Sequence, residues 1–105
     1  MIALGLMSGT SCDGISAALA RFEGRRVRVI AERTTPYPAR LARALQRGPA
    51  LSARELSALN MELGERFAQA ALQLLRRAKV SSRRVRVIGS HGHTIYHGPP
   101  DLVPS

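Results

Sequence analysis

Hydrophobic positions change their period several times along this chain, and each change marks an element. Ile2 to Met7 is an unbroken apolar run closed by Ser8-Gly9. That pattern predicts a central strand covered on both faces. Ile15 to Phe22 is a second apolar run, followed by turn chemistry at Glu23-Gly24-Arg25. Val27, Val29 and Ala31 alternate with Arg28, Ile30 and Glu32, the period of a third strand. Three strands joined by short turns predict an antiparallel meander. Pro36 and Pro38 stop it.

Helical spacing takes over next. Ala39 to Arg47 reads as a short helix with Leu41 and Leu45 one turn apart, closed by Gly48-Pro49. Ser52-Ala53-Arg54-Glu55 has the form of a capping box. Behind it Leu56, Leu59, Leu63, Phe67, Ala70 and Leu74 recur every three or four residues, predicting a helix to about Lys79. Val85 to Ile88 reads as a fourth strand, with Gly89-Ser90-His91-Gly92 as a loop at its end and an irregular tail from Gly98-Pro99-Pro100. The predicted fold class is α/β: a three-stranded antiparallel meander, two helices, then a further strand of a mixed sheet. With no helix after that strand, the chain reads as the opening part of a larger domain.

Composition adds little against this picture. Hydrophobic residues make up 45% of 105 residues, which excludes a wholly disordered chain. The net charge is +9, which raises an anionic partner. The arginines are spread along the sequence and aromatics are only 4%. Codon bias in a GC-rich genome therefore explains the Arg and Ala content better than a nucleic-acid surface does, and neither nucleic acid nor membrane is an expected partner. A single cysteine, Cys12, forms no internal disulfide, and the short apolar start is no signal or span. An intracellular, cytoplasmic location is expected.

Two segments can carry chemistry. In the first, Gly9 and Gly14 let the backbone bend closely around a ligand, and Ser8, Thr10 and Ser11 offer hydroxyls. Successive amides there can form an anion nest, and Asp13 can hold Mg²⁺ through water. The Gly-Lys-Ser/Thr ending of a Walker loop is absent, and the same composition fits a plain polar hairpin. The second segment runs from Gly89 to His97. His91, His93 and His97 raise a metal site, since alternation puts them on one face of an extended segment. Their spacing matches no zinc motif, so hydrogen bonding of His91 and Thr94 to sugar or phosphate oxygens ranks above it.

Taken together, Met7-Ser8-Gly9-Thr10-Ser11-Cys12-Asp13-Gly14-Ile15 and Ile88-Gly89-Ser90-His91-Gly92-His93-Thr94-Ile95-Tyr96-His97-Gly98-Pro99 resemble the two characteristic segments of the anhydro-N-acetylmuramic acid kinases. Asn60, Gly64, Phe67 and Ala68 on the long helix fit the same pattern. The resemblance implies an actin/Hsp70/hexokinase-like (ribonuclease H-like) fold, of which residues 1–105 would be the amino-terminal portion of the first lobe of a two-lobe sugar kinase. It implies that ATP and an amino sugar are the small-molecule partners, with a homodimer formed by the full-length protein. By resemblance, Gly9, Thr10, Ser11, Cys12, Asp13, Gly14, Ile15 and Ser16 line the ATP phosphates, Asp13 serves Mg²⁺, and Ser90, His91, Gly92 and Thr94 face the sugar. The chain carries Ser16 where the family usually has Asp, and His93 where it usually has Gln. The family's water-activating carboxylate falls on none of these residues, so the piece alone is expected to be inert. Another sugar or small-acid kinase of the same fold, a basic nucleic-acid-binding module and a domain-swapped species are the competing readings.

Overall fold

The computed structural model of the chain describes residues 1–9 and 13–93. Strands β1 (Ile2–Ser8), β2 (Gly14–Glu23) and β3 (Arg26–Pro36) form the expected antiparallel meander. Two helices follow, α1 (Ala39–Gln46) and α2 (Ala53–Ala78), and then strand β4 (Val85–His93). The crossover through α2 returns β4 beside β1 and parallel to it, so the sheet order is β3-β2-β1-β4. Parallel neighbours need a long connection of this kind, and the 26-residue α2 supplies it.

Alternation decides which side chains meet the helices. Ile2, Leu4 and Leu6 of β1 share a face with Ile15, Ala17 and Leu19 of β2, and all are buried. Leu41 and Leu45 of α1 and Leu59, Ala70, Leu74 and Leu75 of α2 close over them. Each fully buried leucine contributes about 2 kcal/mol by removal from water.

The capping box of α2 is present. Ser52 Oγ accepts from the Glu55 amide at 3.1 Å, and the Ser52 amide donates to Glu55 Oε1 at 3.0 Å. That amide, together with hydrogen bonds from Arg47 and the Ser52 hydroxyl, holds the Glu55 carboxyl below its ordinary pKa. Arg47 closes the helix–helix corner by pairing with Glu55. A second link joins the helices through Glu62, which accepts from Arg40 at 2.8 Å and from Arg66 at 3.1 Å. The Arg40 hydrogen bond is the main cause of a lowered Glu62 pKa. Glu62 thus serves packing rather than a cleft.

Two expectations need correction. β1 is interior to the sheet but is covered on one face only among the described residues: Gly5 is exposed and Met7 is 49% exposed on the other. The apolar run looked double-sided because small residues, Ala3 and Gly5, stand at the positions of the open face. Strand β4 also runs on through Gly89–His93, where the sequence predicts a loop. Hydrogen bonding to β1 overrides the turn propensity of Gly89-Ser90-His91-Gly92, since Gly5 pairs with Gly89 and Leu6 with Ser90.

Candidate functional site

The carboxyl ends of the parallel strands β1 and β4 lie side by side, and the turn after β1 opens there. Ligands of open α/β sheets bind at such ends. The last residue of β1, Ser8, is 0% exposed. Alternation turns its hydroxyl toward the helices, away from any ligand in the turn. Tyr37, just past β3, donates its phenol to Ser8 Oγ at 2.7 Å, while its amide donates to the Asp13 carbonyl at 2.9 Å. Tyr37 therefore holds both shoulders of the turn.

The third member of this group is His93, whose Nδ1 lies 2.8 Å from Ser8 Oγ. Uninterrupted alternation would put His93 on the opposite face, together with His91. The register instead gains a residue: Leu6 pairs with Ser90, but Ser8 pairs with His93. The extra residue is accommodated at Gly92, whose φ is +75°, a conformation that side chains on Cβ disfavour. A bulge re-aims the side chain that follows it. His91 is left on the open face, and His93 reaches Ser8 on the helix face. The expectation that the two histidines share a face is thereby overturned.

Ser8 Oγ accepts from the Tyr37 phenol and shares a second hydrogen bond with His93 Nδ1. Burial favours the neutral imidazole and lowers the His93 pKa from its ordinary 6.5. A base with a depressed pKa in the fold contributes stability above its ordinary pKa and loses it as pH falls through the folded value. The thermal midpoint should therefore drop between about pH 7.5 and pH 5.5, and His93→Gln should remove that part of the drop. Equal slopes for both proteins in a pH series of melts would contradict the neutral-histidine assignment.

Among the residues expected to line the phosphates, Gly9 is half-buried, Asp13 exposed and Gly14 buried. Thr10, Ser11 and Cys12 lie outside the described residues. Ile15 is buried to 2%, so its side chain belongs to the core and only its backbone faces the turn. Ser16 points to the open face, where its hydroxyl meets Thr34 Oγ1 at 3.3 Å. Ser8, read from sequence as one of the turn's offered hydroxyls, is instead taken up by Tyr37 and His93.

The second segment divides between two cavities. His91 and Ser90 border a recess of about 830 Å³ on the open face, together with Gly5, Met7 and Ser16. Ser90, Gly92 and His93 border a smaller one of about 260 Å³ on the helix side, with Asn60, Gly64 and Phe67. Asn60, Gly64 and Phe67, which fit the family pattern on the long helix, all border this recess. Thr94 and His97 lie outside the described residues. Among the described residues no three His, Cys, Asp or Glu side chains gather to hold a metal, so zinc has no support there. One carboxylate suffices for Mg²⁺ carried by phosphates, and exposed Asp13 at the turn fits that need. No helix among the described residues is long and apolar enough to cross a membrane.

The sequence raises His93 only as a metal-ligand candidate on the face of His91, not as a partner of Ser8, and it does not point to Tyr37. A signal for His93 existed, since glycine in a strand often marks a bulge and Gly92 stands immediately before it. Nothing local signalled Tyr37.

Comparison with known proteins gives this geometry a family. The family model for anhydro-N-acetylmuramic acid kinase matches residues 1–104. An anhydro-N-acetylmuramic acid kinase of Vibrio vulnificus (strain CMCP6) is 40% identical over 104 residues, covering 96% of this chain and 28% of its own length. One of Xanthomonas oryzae pv. oryzae (strain MAFF 311018) is 43% identical over 106 residues, covering 94% and 28%. One of Acaryochloris marina (strain MBIC 11017) is 43% identical over 107 residues, covering 95% and 27%. The chain thus spans just over a quarter of the length of the curated relatives it matches. The meander, the helical crossover and the parallel fourth strand form the start of the actin/Hsp70/hexokinase-like fold, and the chain belongs to the anhydro-N-acetylmuramic acid kinase family.

Proposed function

We propose that this chain is the phosphate-holding part of an ATP-dependent kinase that opens 1,6-anhydro-N-acetylmuramic acid with water and phosphorylates O6. The product would be N-acetylmuramic acid 6-phosphate, in the recycling of peptidoglycan in the cytoplasm. The observation that carries the reading is the Ser8–His93 hydrogen bond of 2.8 Å, which ties the two family segments into one site.

The site roles belong to the same proposal. Gly9 to Ser16 would line the phosphates; in support, Gly14 lies close against the Thr35–Pro36 backbone of β3 and the Tyr37 amide holds the Asp13 carbonyl. Asp13 would hold Mg²⁺ through water. Bound with ATP, the metal neutralises charge on the phosphates during transfer. Ser90, His91, Gly92 and Thr94 face the sugar, with Ser90 placed between the two recesses. Water attacks C1 and yields its proton to a base, the bridging C1–O6 bond breaks, and O6 takes the γ-phosphoryl group of ATP as ADP leaves. Transfer of this kind needs nucleotide, metal and a water-activating base held together. The resemblance places that base on none of these residues, so the 105-residue chain alone should not turn over.

A second reading keeps the fold and changes the acceptor to another sugar or small acid, favoured by His93 where the family usually has Gln. ADP release should be measured with the anhydro sugar and with a panel of sugars and small acids. The enzymes compared are this chain and a chain extended to the length of its relatives. We expect release only from the longer chain and only with the anhydro sugar. Turnover by the 105 residues alone would end the claim of inertness, and preference for a different acceptor would end the substrate assignment.

A further inference from the structure

The arginines that are dispersed in the sequence are not dispersed in space. The end of the sheet remote from the phosphate turn is built from the start of β1, the β2–β3 turn and the start of β4. The β2–β3 hairpin brings Arg21, Arg25, Arg26 and Arg28 there, with Arg21 directly opposite Arg28. The carboxyl end of α2, where Arg76, Arg77 and Lys79 lie, reaches the same end, because the turn that follows leads directly into β4. That turn and the first residues of β4 add Arg83, Arg84 and Arg86. Ten of the sixteen basic residues are gathered there with one of the seven acidic ones, Glu23. The rest of the chain carries six of each, so the whole excess of +9 resides at this end.

Like charges set opposite one another in a sheet destabilise it. Among the described residues they are relieved by one ion pair, Arg21–Glu23 at 3.7 Å. Arginine binds phosphate through a planar fork and sheds its hydration more readily than lysine. The same terminal rungs expose apolar side chains on the open face: Met1, Phe22 and Val27, the last 61% exposed and opposite Phe22. A phosphodiester duplex has no use for such a rim, whereas a bilayer interface accepts it beside cations.

We propose that this basic end is a docking face for an anionic phospholipid surface. The docked molecule would hold the phosphate turn at the far end of the sheet, turned away from the bilayer. The chain itself is tested by co-sedimentation with vesicles of phosphatidylcholine alone and of phosphatidylcholine mixed with phosphatidylglycerol. A short DNA duplex is the competitor, and sodium chloride is raised in steps. Binding is expected only with phosphatidylglycerol present, falling as salt rises.

Each cation near such a surface changes binding on the order of fivefold. Arg84→Ser/Arg86→Ser should therefore weaken it roughly 25-fold. Arg43→Ser/Arg54→Ser, of equal net charge but outside the cluster, should change it little. Phe22→Trp should show a blue-shifted emission on the anionic vesicles. Circular dichroism of each variant confirms that the helices are retained. Equal binding to neutral vesicles overturns the proposal, as does an equal loss in both double variants. So does a duplex that outcompetes the vesicles while the tryptophan emission stays unshifted, which would assign the face to nucleic acid.

Discussion

Gly14→Ala is expected to destabilise the fold by about 3 kcal/mol, the upper part of the range for forcing extra atoms into a packed site. A Cβ at position 14 would overlap the Thr35 carbonyl oxygen and come within 3.1 Å of Pro36 Cα. Both are backbone atoms of β3, so no flexible side chain can yield. Relief requires β2 and β3 to part where Gly14 pairs with Pro36. That movement also disturbs Tyr37, the next residue, and with it both shoulders of the turn. Gly5→Ala is the matched control. A Cβ there meets nothing within 4 Å, and the substitution restricts the unfolded chain, so it should be neutral or slightly stabilising. Urea unfolding of both variants checks this. A Gly14→Ala midpoint equal to that of the parent would show that the strands separate there at no cost.

Ser8→Ala is expected to cost about 2 kcal/mol or more, well above an ordinary surface change. The hydroxyl is the shared partner of the Tyr37 phenol and His93 Nδ1, so both groups lose it at once. Tyr37→Phe should cost less, because Ser8 retains His93. In a double-mutant cycle the Ser8→Ala and Tyr37→Phe changes should be less than additive, since both remove the same Tyr37–Ser8 hydrogen bond. Strict additivity of the urea midpoints would show that the three groups do not act as a unit. In the longer enzyme, Ser8→Ala should raise KM for nucleotide and for sugar together, since it loosens the tie between their two segments.

Much of this architecture is legible in the amino-acid order, and the exceptions have physical causes. α2 is legible from Ser52, Glu55 and the leucine spacing, because a capped amphipathic helix is written in local contacts. The meander is legible for the same reason: its turns are short. The second half of β4 is not. Gly89 to Gly92 have the composition of a turn, and only pairing with Gly5 and Leu6, more than eighty positions earlier, makes them a strand. The side of the sheet reached by His93 depends on one inserted residue at Gly92, and alternation counted along the chain misses it. The gathering of Arg21 and Arg86 at one end is equally invisible, because it follows from the order of strands rather than from any run of residues.

The parallel pairing of β1 with β4 also sets the order of events in folding. The β1–β2 and β2–β3 pairs close over short turns, whereas Ser8 and His93 stand 85 positions apart. Closing the larger loop costs more chain entropy before any contact rewards it, and non-local pairings of this kind slow folding. During synthesis the meander and both helices leave the ribosome before the last residues of β4. The bond that joins the two family segments is therefore the last to form. A nascent chain acquires its hairpins early and its binding end only when the fourth strand zips onto the first.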